Sequence, residues 1–302
     1  MGLLPSSIRL LLQLHSRYSF TGPMLALGNQ EIWATYDDLI SYFNDEGLSF
    51  NEPDTIALNT SRLFRQDPNL ALISDQFVHA KVLFGMLGIS EYFDIDKFES
   101  DSPSILHDLN FPVPKEHHNK FSFIVDGGTI EHIFDVRQVM ENILLMLKEG
   151  GCVVHISSFN MDHGFYAFSP CFFFDFYKAN GFTDFSCYIL QTDIKNIIKN
   201  YRSQNPVFEY YYGMPLEKLI DYDKQILTFF SARKTEFKRS MVIPTQGIFD
   251  PNNIVTTNIN KRSCYSYVPP KLRPLLQPVY LSILQIKSWV NQLKVSIKIR
   301  NV

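Results

Sequence analysis

Cysteine is scarce in this chain of 302 residues. The four, Cys152, Cys171, Cys187 and Cys264, stand far apart with no C-x-x-C pair. That spacing argues against a disulfide framework and against a thiolate zinc site. Long hydrophobic runs are also missing. Ile143 to Leu147 and Cys171 to Phe174 are the greasiest stretches, far short of the roughly 18 apolar residues a spanning helix needs. Residues 1–20 carry an apolar run between Arg9 and Arg17 but no small-residue cleavage site, so they read as a short amphipathic helix and not a secretory signal. No G-x-G-x-x-G follows a candidate strand, which disfavours a nicotinamide-dependent oxidoreductase. No internal repeat or low-complexity tract is visible. A globular, cytoplasmic protein is the expectation.

What is present is ordinary in bulk and uneven in detail. The apolar share is 45% and the charged share 20%, which is a globular composition. The net charge of −3 hides an asymmetry: residues 261–302 hold eight Lys and Arg and no acid, leaving 20 basic against 31 acidic residues elsewhere. An acidic body is a poor surface for phosphate, so nucleic acid is not an expected partner. In the tail, Val279 to Val295 spreads Ile283, Leu284, Ile286, Trp289, Val290 and Leu293 among Lys287 and Lys294. That pattern suits an amphipathic helix at an anionic membrane surface, or one docked on the acidic body of its own chain or of a second subunit.

The middle of the chain alternates strands and helices. Met24 to Leu27 is a compact apolar strand ending at Gly28, followed by a helix over 36–43. Residues 48–71 lack periodicity and read as an insertion. Ser74 is placed to cap a helix whose apolar face is Phe77, Val78, Val82, Leu83 and Met86, ended by Gly88. Extended pieces follow at Glu91 to Ile95, at Ser104 to Asn110 and at Phe121 to Asp126. The stretch 135–148 puts Val136, Val139, Met140, Ile143 and Leu147 on one helical face, with Gly150-Gly151 as its stop. Cys152 to Ile156 is the next strand, and Ser169-Pro170 starts a helix closed by Asn180-Gly181. Strands near Phe185–Leu190 and Ile226–Ala232 complete an α/β, doubly wound, mostly parallel Rossmann-like sheet with helices on both faces. The organisation is an N-terminal helix (1–20), a main domain (21–235) and a helical C-terminal extension (236–302).

In such sheets ligands sit at the carboxyl ends of the strands. Here those ends read Gly28-Asn29-Gln30, Asp94 and Asp96, Asp108-Leu109-Asn110, and Asp126-Gly127-Gly128. A carboxylate after the second strand suits ribose hydroxyls and one after the third an adenine amine, while a glycine after the first lets backbone approach the ligand. The row describes a nucleoside-shaped slot.

The stretch Asp126-Gly-Gly-Thr-Ile-Glu-His132, a helix, then Leu147-Lys-Glu-Gly-Gly151 and a strand resembles the class I S-adenosylmethionine-dependent methyltransferases. Within them the chain is similar to those reading D-G-G-T-h-E-H here, with D-L-N-x-P before it (Asp108 to Pro112) and H-G-F-Y then F-S-P after it (His163 to Tyr166, Phe168 to Pro170). The resemblance spans roughly residues 24–235. It implies S-adenosyl-L-methionine as cofactor, with Gly28, Asn29, Gln30, Asp94, Asp108, Leu109, Asp126 and Gly127 around it. One departure stands out: the glycine-rich first motif of that class is reduced to Leu25-Ala-Leu-Gly-Asn-Gln30, with one glycine and no acid before it.

Methyl transfer from a sulfonium is an in-line displacement that needs alignment and, for an OH or NH acceptor, a base. No metal is required. His132 and His163 are the base candidates, because imidazole titrates near neutral pH; His132 could instead brace the helix that follows. Asp126 and Tyr166 could orient substrate. The expected activity is methyl transfer to an oxygen or nitrogen of a small-molecule or carbohydrate-like acceptor, sugars being suggested by the bacterial surface-polysaccharide settings of the resembled group. The alternative is a non-catalytic methyltransferase-fold protein acting as an interaction or scaffold module.

Overall fold

Met24 to Leu27 can be apolar without interruption because the strand they form is covered on both faces and both edges. The computed structural model describes residues 2–59, 74, 76–159, 163–193, 201–202, 206–214, 216, 220–221, 223–236, 238 and 240–249. Residues 60–71 of the expected insertion and the expected helix at 279–297 lie outside the described residues, as does the basic tail.

In chain order the elements are α1 (Pro5–Tyr18), β1 (Met24–Leu27), β2 (Glu31–Thr35), α2 (Tyr36–Glu46), β3 (Phe77–His79), α3 (Ala80–Met86), β4 (Tyr92–Asp96), β5 (Ile105–Leu106), β6 (Phe121–Asp126), α4 (Val136–Met146), β7 (Leu147–Ser158), α5 (Pro170–Ala179), β8 (Phe182–Thr192), β9 (Val207–Glu209) and β10 (Gln225–Lys234). Among the described residues, eight strands form one sheet in the order β5-β4-β1-β6-β7-β10-β8-β9, and β2 pairs with β3 in a small second sheet. Strands β5, β4, β1, β6 and β7 run parallel; β10 is antiparallel to both β7 and β8.

From β1 the chain builds outward to β4 and β5, then returns to the other side of β1 to lay down β6 and β7. Right-handed crossovers in opposite directions place helices on opposite faces. One core layer accordingly holds Leu11 of α1, Phe43 of α2 and Phe84 of α3 against Phe123, Val125 and Phe229. The other holds Ile143 of α4 and Phe173 and Tyr177 of α5 against Ile124 and Phe230. Adjacent residues of one strand thus serve different layers, as the pleat requires. Truncating a wholly buried aromatic such as Phe123 or Phe173 to alanine would cost about 3–5 kcal/mol.

Two boundaries differ from the sequence reading. Phe77 and Val78 belong to a strand and not a helix: Thr35 pairs with Phe77 and Glu31 with His79, and the helix starts only at Ala80, where the His79 ring accepts from the Lys81 amide at 3.1 Å. The helix expected over 135–148 ends at Met146, because Leu147 already pairs with Phe121 and opens β7, so Gly150 and Gly151 lie within the strand. Elsewhere local signals hold. Thr35 and Asp38 cap α2 reciprocally, and Ser169-Pro170 starts α5.

Candidate active site

The chain reverses its direction of growth between β1 and β6, and Leu27 lies opposite Asp126 there. Ligand crevices in doubly wound sheets form outside this point. Gly28 turns the chain with φ +71°, its amide donating to the Ile95 carbonyl at 2.8 Å. A Cβ at Gly28 would stand 2.9 Å from Thr129 Oγ1 and 3.7 Å from Asp96 Oδ2, so three strand ends converge on this glycine. Thr129 Oγ1 donates to the Leu27 carbonyl at 2.5 Å, tying the loop after β6 to the end of β1. Gln30 folds back beside them. Its Nε2 donates to the Leu27 carbonyl at 2.6 Å, and a Cβ on Gly127 would collide with its Oε1. Gln30 Oε1 and Asn29 Oδ1 are both buried with no hydrogen-bond partner among the described residues.

The acids divide by their partners. Asp94 is committed inside the sheet edge, accepting from the Ser104 amide at 2.8 Å and the Ser104 hydroxyl at 2.6 Å. Asp96, two residues on, reaches the rim beside Gly28, with Oδ1 accepting from the Phe98 amide at 2.9 Å. Asp108 accepts from the Asn110 amide at 3.0 Å and its side chain at 2.7 Å. Slight burial raises its pKa, but the bonds from Asn110 outweigh this and hold the carboxyl below its usual range. Leu109 is buried, and its carbonyl accepts from Asn142 Nδ2 at 3.0 Å. That same Asn142, wholly buried on α4, also donates to the Phe111 carbonyl at 2.9 Å and accepts from the Val113 amide at 3.1 Å. The sequence reading passed over this clamp, because a lone Asn on a helix carries no signal until the loop it holds is known.

Asp126 is placed differently from the reading that had it orienting substrate. It is fully buried. Oδ1 accepts from the Thr129 and Ile130 amides at 2.9 and 3.3 Å, and Oδ2 meets His155 Nδ1 at 2.7 Å. Nε2 of His155 meets the Tyr177 hydroxyl at 2.6 Å, and the imidazole stacks on Phe173. Burial pushes the Tyr177 hydroxyl well up, and the Asp126 charge adds to this. With its partners all internal, Asp126 shapes the Gly127-Gly128-Thr129 turn and does not face the crevice.

Glu131, His132 and His163 gather beside that turn. Gly164 has φ +84°, and the Phe165 amide donates to the Glu131 carbonyl at 2.7 Å. The Tyr166 hydroxyl, expected near substrate, donates to the Phe134 carbonyl at 2.7 Å. The H-G-F-Y segment is therefore docked on the I-E-H turn, and the His132 and His163 rings meet edge to face with centroids 5.0 Å apart. Glu131 is wholly buried; Ser157 Oγ and the Ser158 amide at the end of β7 approach its carboxylate at 3.4 Å each. Burial, with the charge of Asp126 adding, pushes its carboxyl up to about 7. Burial also lowers the His132 pKa, with His163 adding, so that imidazole is neutral at neutral pH. Outside them, Phe134 and Phe165 stand exposed and edge to face, 5.7 Å between centroids.

No family model and no curated protein matches the sequence. Among solved structures the chain is similar to a SAM-dependent methyltransferase from Thermotoga maritima, with 14% identity over 76% of this chain and 89% of that one and a TM-score of 0.36. It is similar also to 1,6-didemethyltoxoflavin-N1-methyltransferase from Burkholderia thailandensis, solved with S-adenosylhomocysteine (12% identity, 76% and 78% coverage, TM-score 0.32). A third is Haemonchus contortus phosphoethanolamine N-methyltransferase 2, solved with S-adenosyl-L-methionine (14% identity, 76% and 52% coverage, TM-score 0.34).

Proposed function

We propose that this protein moves the methyl group of S-adenosylmethionine to an oxygen or nitrogen of a small-molecule or carbohydrate-like acceptor. The observation that carries the reading is the pair of orphaned amide oxygens, Asn29 Oδ1 and Gln30 Oε1, at the switch point of the sheet. Buried acceptors without a donor are costly, on the order of 1–3 kcal/mol each, and the methionine ammonium of the cofactor would satisfy them. The switch point between β1 and β6 supports the same reading, since doubly wound sheets take their ligands outside such a point.

The cofactor supplies an electrophilic methyl group on a sulfonium. Around it, Gly28 would let the backbone approach the ligand closely, and Gln30, which packs on Gly127, would have to swing aside for Gly127 to do the same. In this reading Asp96, at the rim beside Gly28, would accept from the ribose hydroxyls, with Asp94 bracing the strand behind it through Ser104. In the same reading Asp108 and Leu109 would meet the adenine, with Asn142 holding the Leu109 carbonyl. The His132–His163 pair is where an acceptor proton would be handled, and the exposed Phe134 and Phe165 rings offer an apolar platform next to it. Among the described residues Cys152, Cys171 and Cys187 are free, which favours a reducing, cytoplasmic setting.

One observation favours the scaffold alternative: Gln30 lies over Gly127, in the space the crevice would offer. Calorimetry of the full chain with S-adenosylhomocysteine tests the choice. Saturable binding with transfer of labelled methyl groups to acceptor extracts is expected; silence at millimolar ligand would leave an interaction module.

A further inference from the structure

We infer that Glu131, His132 and His163 form a binding site for one divalent transition-metal ion of the zinc type. A ligand atom from each lies within 4.8 Å of those from the other two. Ligand bonds of about 2.0–2.2 Å to imidazole nitrogen and carboxylate oxygen can bridge such a group after small side-chain rotations. Two imidazoles and one carboxylate, with a fourth position open, is a donor set that zinc adopts in catalytic sites and that other first-row ions also accept.

Three features of the fold favour ligation over chance proximity. The Phe165 amide bond to the Glu131 carbonyl and the close fit of Gly164 hold His163 against the I-E-H turn, so the two sequence segments form one unit. Ser157 Oγ donates to Glu131 Oε2 and the Ser158 amide to Oε1, at 3.4 Å each, the kind of outer support that orients a ligating group. Glu131 and Asp126 are both wholly buried carboxylates in the same region, and a dication would offset negative charge that solvent cannot reach. The ion would lie at the carboxyl end of the sheet, where it could bind and acidify an acceptor hydroxyl. That last role rests on the methyl-transfer reading; the binding itself does not.

The test uses the full chain, free of any affinity tag, stripped with chelator and dialysed against zinc or cobalt(II). About one ion per chain is expected, with cobalt giving the visible absorption of a four- or five-coordinate imidazole site. His132→Ala and His163→Ala should each weaken retention by at least about tenfold, the loss typical of disturbing a metal shell. Glu131→Gln, close in shape, should do the same, and circular dichroism identifies any variant that fails to fold. Absence of bound metal, or retention unaffected by both histidine variants, would overturn the site. S-adenosylhomocysteine binding is followed in parallel: an ion that binds in a protein that ignores the nucleoside sinks methyl transfer and leaves the metal site standing.

Discussion

Gly164 packs on the carbonyl of Glu131 so closely that a Cβ at residue 164 would stand 2.6 Å from that oxygen. The contact joins the loop after β7 to the turn after β6, and it sets where His163 meets His132. Gly164→Ala would add the clash to a left-handed backbone that L side chains rarely adopt. The expected result is a loss of about 1–3 kcal/mol, read as a lower thermal midpoint, with metal retention reduced in the same variant.

The chain Asp126–His155–Tyr177 predicts a different outcome for substitutions there. All three residues are buried, so their bonds serve folding first. Tyr177→Phe removes one hydrogen bond and should cost about 1–3 kcal/mol. His155→Ala leaves the Asp126 carboxylate buried without its partner and should cost about 3–5 kcal/mol. Urea unfolding measures both; stability unchanged in His155→Ala would contradict the assignment.

Asp94 and Asp96 should separate in a binding experiment. Asp96→Ala and Asp108→Ala are each expected to weaken S-adenosylhomocysteine binding by about 1–3 kcal/mol, the scale of a lost hydrogen bond to a charged group. Asp94→Ala should act mainly on the thermal midpoint, because its carboxylate is spent on Ser104. Calorimetric titration of the three variants decides it, and equal losses of affinity would refute the division.

Asp38 makes the acid limb of stability predictable. Burial raises its pKa, but bonds from Arg202, Thr35 and Tyr201 outweigh this and hold the carboxyl below the usual aspartate value. The native state therefore binds fewer protons than the unfolded chain in that range. The stabilisation is present above the unfolded value and is lost as pH falls through the lower native one. As pH falls below about 4, the ordinary aspartate value, the wild type should lose more stability than Asp38→Asn. Parallel acid-limb slopes in chemical unfolding would contradict this.

Local patterning alone carried much of the architecture. Phe121 to Asp126 is legible as a buried parallel strand because only a position covered on both faces tolerates such a run. The five apolar positions of 136–147 announce a helix, and Ser169-Pro170 announces another, because caps and periodicity act over a few residues. Partners from distant segments left no such mark. Phe77 became a strand because β2 was there to pair with it, although its own neighbours favour a helix. Asp94 and Asp96 look alike in the chain, and only the position of Ser104 separates a brace from a rim acid. His155 sits unremarked in a hydrophobic strand until the fold brings Asp126 and Tyr177 to its two nitrogens. Glu131 likewise reads as a motif letter between two better candidates. Burial against β7, which no nearby residue dictates, makes it a ligand-type carboxylate.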